Sequence, residues 1–93
     1  MLVVVNRLKF EAARPGLEKG FLSAPSMERI PGCVRFEFWR NEVEGEYLVV
    51  THWQDRAAFE AWTQSDAFRH AHRNTQSAEG GSSELAVYEV LRS

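Results

Sequence analysis

Val34-Arg35-Phe36-Glu37-Phe38-Trp39-Arg40 alternates side-chain character, and Tyr47-Leu48-Val49-Val50-Thr51-His52-Trp53 follows it after Glu44-Gly45-Glu46. The first run reads as a strand with Val34, Phe36 and Phe38 on one face and Arg35, Glu37 and Trp39 on the other. Glu44-Gly45-Glu46 is a hairpin signal. The second run opens apolar on both faces, as a central strand does. Asp55 then supplies an N-cap for a helix starting at Arg56, with Ala58, Phe59 and Trp62 as its apolar stripe. Ser65 reads as a second cap, opening a helical turn that runs to about His72.

Working upstream, Leu2 to Phe10 is β-branched and alternating, hence a first strand. Pro15-Gly16 turns into a helix over roughly 15–28, with Leu17, Phe21 and Leu22 on one face. Gly20, Pro25 and the Ser23/Ser26 pair make that helix weak or broken. Ile30-Pro31-Gly32 separates it from the second strand. Working downstream, Asn74 to Ser83 is rich in Ser, Gly and Asn and reads as a mobile loop. Glu84 to Leu91 reads as the last strand. The order is β-α-β-β-α-β, the ferredoxin-like α+β arrangement, in a single domain spanning residues 1–93.

Both helices cover one face of such a sheet and leave the other bare. That bare face carries apolar residues, and a 93-residue domain buries only about 60–65% of its unfolded surface. The simplest cover is the same face of a second copy, so a face-to-face homodimer curled into an α+β barrel is expected. The net charge of −2 gives no reason to expect nucleic acid or a membrane surface as partner. No stretch approaches the ~20 apolar residues of a membrane span. Arg7 and Lys9 follow the apolar Met1–Val5 run instead of preceding it, against a secretory signal. The lone Cys33 cannot pair within the chain, which fits a reducing, cytoplasmic setting and a small buried side chain.

Several residues stand out chemically. Asn6 interrupts the apolar set Leu2, Val4, Leu8 and Phe10 on one strand face. A buried amide without partners costs about 1–3 kcal/mol. Taken alone, Asn6 also reads as an amide bonded to neighbouring backbone, or one at the strand's open end. Trp62, taken alone, is core packing. His52 lies on the third strand, on the face opposite Trp53, and reads as packed or solvent-facing. His70 and His72 point about 200° apart on a helix, so one site takes only one of them. Their spacing is not that of a zinc pair, and no Cys, Asp or Glu cluster completes one. There is no phosphate loop, nucleophile elbow or basic-aromatic stripe.

The element order, the opening Val5-Asn6-Arg7-Leu8, and the block from Thr51-His52-Trp53 through Ala58-Phe59-Glu60-Ala61-Trp62 and Ser65-Asp66-Ala67-Phe68 to Ala71-His72-Arg73 resemble the antibiotic biosynthesis monooxygenase superfamily. Within it they resemble the IsdG-type haem-degrading monooxygenases. The resemblance covers nearly the whole chain. It implies an Asn–Trp–His triad at Asn6, Trp62 and His72, with haem as both substrate and cofactor between sheet and helices. His72 would be the proximal iron ligand, Asn6 a distal hydrogen-bond donor, and Trp62 a ring that presses on and ruffles the porphyrin. Phe21 would line the pocket from the first helix. His70 would at most contact a propionate or compete for iron. The reaction implied uses O2 and an external electron donor, supplied by an unidentified reductase, and frees iron and a linear tetrapyrrole. Two other readings stand beside it: a cofactor-independent monooxygenase of the same superfamily acting on an aromatic polyketide or quinol, and a haem-binding protein without turnover.

Overall fold

A computed structural model of the chain describes residues 1–23, 29–43, 45–66, 68–69 and 82–93. Strand β1 (Leu2–Lys9) is followed by helix α1 (Pro15–Ser23), strands β2 (Cys33–Arg40) and β3 (Glu46–Trp53), helix α2 (Arg56–Thr63) and strand β4 (Ser82–Glu89). The four strands form one sheet in the order β2-β3-β1-β4, with every pair antiparallel. This is the ferredoxin-like α+β fold that the element order implies.

Each element has a local cause. The β2–β3 hairpin turns through Gly45, whose φ of +95° suits a residue without Cβ; a side chain there would meet the Phe10 carbonyl. Gly32, at φ +85°, enters β2 where a Cβ would collide with that of Ala58, so the glycine lets α2 sit close. Asp55 caps α2 as its position suggests: its carboxylate accepts the Ala58 N–H at 2.8 Å. Ser65 caps the next turn by accepting the Phe68 N–H at 3.2 Å, and Asp66, Phe68 and Arg69 are helical. The continuation of that turn to His72 lies outside the described residues.

α1 is helical to Ser23, and the expected extension over 24–28 lies outside the described residues. The structure departs from the expected strands in two places. A register shift between Cys33 and Arg35 turns Val34 outward, 45% exposed, so Cys33 takes the inward place beside Phe36 and Phe38. β4 begins at Ser82, because Ser82 and Ser83 pair with Lys9 and Leu8; residues assigned to a loop by composition are recruited by β1's open hydrogen bonds. The rest of that expected loop, 74–81, lies outside the described residues.

The core sits at one end of the helix-covered face. Leu2, Val4, Cys33, Trp53 and Phe59 form it, with Ile30, Ala58 and Trp62 packed against it. Trp53 is wholly buried, and its indole N–H donates to Thr51 Oγ1 at 2.9 Å, so the ring carries no unmet donor. A second, aromatic cluster occupies the other end, where Tyr47 and Leu8 are wholly buried and Phe10, Phe38 and Phe21 gather round Tyr47.

Candidate functional site

Cross-strand pairing sorts the helix-covered face into four rows. Cys33, Trp53, Leu2 and Glu89 form the first; Phe36, Thr51, Val4 and Val87 the second; Phe38, Val49, Asn6 and Leu85 the third; Arg40, Tyr47, Leu8 and Ser83 the fourth. The first, second and fourth each contain at least two buried residues. The third contains none: Phe38, Val49 and Asn6 are half-buried and Leu85 is 46% exposed. This row crosses the middle of the sheet, where sealing should be best. The face is therefore least sealed along this row, called the trough below, and Asn6 lies in it.

Aromatic rings stand at both ends of the trough. Phe21, from α1, stacks on Phe38 with centroids 4.4 Å apart and planes 13° apart. Trp62, from α2, lies 5.3 Å from Trp53 and takes the edge of Phe68 at 4.7 Å, its ring half-buried. Trp62 is thus packed against two rings and still partly exposed. The Asn6 amide makes no hydrogen bond among the described residues, although it lies in an otherwise apolar row. The structure accordingly brings Asn6, Phe21 and Trp62 to one face. His70 and His72 lie outside the described residues. His52 is on the opposite face, its Nε2 3.3 Å from Glu37 Oε1.

Glu37 collects polar contacts on that bare face. Burial pushes its carboxyl upward, but hydrogen bonds from Trp39 and His52 and the nearby Arg35 charge outweigh this and hold it below the usual carboxylate value. Among the described residues no group of three or more His, Cys, Asp and Glu is placed to hold a metal ion.

Two features escaped the sequence reading. The floor residues Val49 and Leu85 carry no chemical flag, and only strand register puts them beside Asn6. The second is a tie between Glu18, Tyr47 and Arg40, whose members come from three elements. The Tyr47 hydroxyl donates to Glu18 Oε2 at 2.6 Å and accepts the Arg14 N–H at 2.9 Å, while Arg40 donates to Glu18 Oε1 at 3.1 Å.

The chain's sequence and topology have known counterparts. Residues 1–74 match the family described as antibiotic biosynthesis monooxygenase. The chain belongs to that family. It is 41% identical to the heme oxygenase (mycobilin-producing) of Mycobacterium tuberculosis, over 97% of this chain and 89% of the relative. The solved structure of MhuD, a heme-degrader from Mycobacterium tuberculosis with two hemes bound in its active site, superposes with a TM-score of 0.75 at 31% identity, over 100% of this chain and 98% of that one. SnoaB, a cofactor-independent oxygenase from Streptomyces nogalater, superposes with a TM-score of 0.81 over 99% of this chain and 94% of its own. Its 22% identity shows shared fold alone. The same fold therefore occurs both in a haem-degrading protein and in a cofactor-independent oxygenase.

Proposed function

We propose that this chain is a haem-degrading monooxygenase: it binds haem in the trough and opens the macrocycle with O2 and electrons from an external donor, releasing iron. The observation that carries the reading is the half-buried row Phe38–Val49–Asn6–Leu85, an apolar row bearing one polar group on the face that also carries Phe21 and Trp62. A flat, largely apolar macrocycle suits such walls. The 41%-identical relative, a heme oxygenase (mycobilin-producing), supports the same reading.

When bound, haem supplies both the iron that activates O2 and the carbon that is oxidised. The protein's residues do the rest. His72 would hold the iron through a neutral imidazole nitrogen. Asn6 would offer its amide N–H to the bound group where negative charge develops during oxidation. Trp62, packed against Trp53, would press on the macrocycle. Phe21, stacked on Phe38, would line the pocket from α1 and exclude water. The electron donor is a separate reductase.

The functional form is a homodimer joined through the bare face of the sheet, giving an α+β barrel. The support is apolar exposure on that face: Trp39 is 47% and Tyr88 56% exposed in a chain of 10.7 kDa. No described helix is long and apolar enough to cross a membrane. A cytoplasmic setting suits a chain whose single cysteine, Cys33, forms no disulfide.

Haemin titration followed by ascorbate under air tests the reading. A Soret band that appears on titration and decays with reductant is the expected result. No Soret band would leave the cofactor-independent oxygenase as the better account, and a stable band under reductant would leave a haem-binding protein without turnover.

A further inference from the structure

We infer that Tyr47 and Glu18 are positioning residues that set the wall of the trough by holding Phe21 in place. The ligand side of this inference rests on the haem reading above; the mechanical side does not. α1 is nine residues long and has no buried residue. A helix of that length is not stable alone, and this one lacks the buried apolar face that would fix it to the sheet. Its position must come from specific ties.

The ties converge on one phenol. Tyr47 is wholly buried on β3, and its hydroxyl accepts the Arg14 N–H at the entrance to α1 and donates a hydrogen bond to Glu18 in the helix's first turn. The Glu18 N–H in turn donates to the Arg14 carbonyl at 3.0 Å, closing that turn. The other Glu18 oxygen is held by Arg40 of β2. The Glu18 side chain is only 22% exposed, so this charged contact is partly shielded from water. Phe21 is three residues after Glu18, hence on the same side of the helix. Its ring, that of Phe38 and that of Tyr47 form a ladder, with 13° between the first two planes and 9° between the last two. The residue that anchors α1 is therefore also the bottom ring of the stack that α1 completes. Slippage of the anchor would tilt or withdraw Phe21 and widen the trough.

The test combines amide hydrogen exchange on the ligand-free protein with haemin affinity. Tyr47→Phe keeps the ring and removes the hydroxyl; Glu18→Ala removes the acceptor; Glu18→Gln keeps an oxygen for Tyr47. Tyr47→Phe and Glu18→Ala are expected to raise exchange in residues 15–23 about tenfold while β1 is unchanged, and to weaken haemin binding by about five- to tenfold. Glu18→Gln should retain most of the affinity. In a Phe21→Ala background, Tyr47→Phe should cost less than twofold more, because the residue through which it acts is gone. Losses that multiply in the double variant, or unchanged exchange in α1 on Tyr47→Phe, would overturn the proposal. A parent that binds no haemin sinks the haem reading instead, and exchange in α1 then decides whether the anchor exists.

Discussion

A carboxamide on an apolar strand face is tolerated only if it finds partners or stays in touch with water, and Asn6 takes the second course. It is half-buried, flanked along β1 by the buried Val4 and Leu8, and it faces Val49 and Leu85 across the sheet. Replacing it by Leu should therefore stabilise the ligand-free protein, by about 1 kcal/mol from the added apolar contact. The same change, like Asn6→Ala, should lower the rate of haem loss under reductant by ~10²-fold while leaving haemin binding within a few-fold. Thermal melts and Soret decay at matched loading measure the two effects. If Asn6→Leu melts lower and degrades haem as fast as the parent, the residue is structural. The histidines give a second prediction. On the helical turn that the sequence predicts from Ser65 to about His72, residues two apart would face nearly opposite ways, so His72→Ala should abolish or greatly weaken iron ligation and His70→Ala should be mild. Equal loss in both would remove the assignment, and the reverse order would transfer it to His70. The anomaly of Asn6 was legible because strand parity needs only local sequence. Its neighbours Val49 and Leu85 were not, because register is a property of pairs.

Elements show the same division between local and distant causes. The caps Asp55 and Ser65 were legible, since each acts on N–H groups three residues away. The outward turn of Val34 was not: alternation alone placed it inward, and the register shift answers to β3. The anchoring of α1 depends on Tyr47 and Glu18, 29 residues apart, and no periodicity announces it. This anchor has a pH signature. Burial and the bond to Glu18 raise the Tyr47 phenol above its ordinary value, against a smaller lowering by the Arg14 N–H. The folded protein thus holds this proton more tightly than the unfolded chain. The contribution to stability is whole below the unfolded value of about 10 and is lost as pH rises through the folded one. Tyr47→Phe should lower stability near neutrality yet show a shallower alkaline decline than the parent. Denaturant melts at pH 8 to 11 would show it; parallel declines would mean that the phenol titrates alike in both states.

For the whole molecule, the notable asymmetry is between a helix-covered face with a trough and a bare face with exposed aromatics. Trp39 and Tyr88 project from the bare face beside the Arg35–Glu37–His52 group. A second copy would cover both. Light scattering at micromolar concentration is expected to find roughly twice the 10.7 kDa chain mass. Trp39→Glu, which removes a large ring and places a second carboxylate next to Glu37, should shift the population to single chains. A parent that scatters as one chain would end the dimer proposal. The α+β class itself followed from element order alone, because short connections and one apolar face per helix leave few ways to pack six elements.

The bare third row also bears on how long the molecule survives. Apolar area left open to water in mid-sheet is stabilisation forgone, at about 25 cal/mol for each Å². A ligand that occupies the trough restores it, and by mass action a free ligand at a hundred times its dissociation constant adds about 2.7 kcal/mol. That is nearly a hundredfold fewer unfolded molecules for proteases to capture. The empty chain should be digested much faster than the haemin-loaded one in limited proteolysis. Its abundance in a cell would then track the supply of its own substrate, with clearance by proteases acting as the regulator.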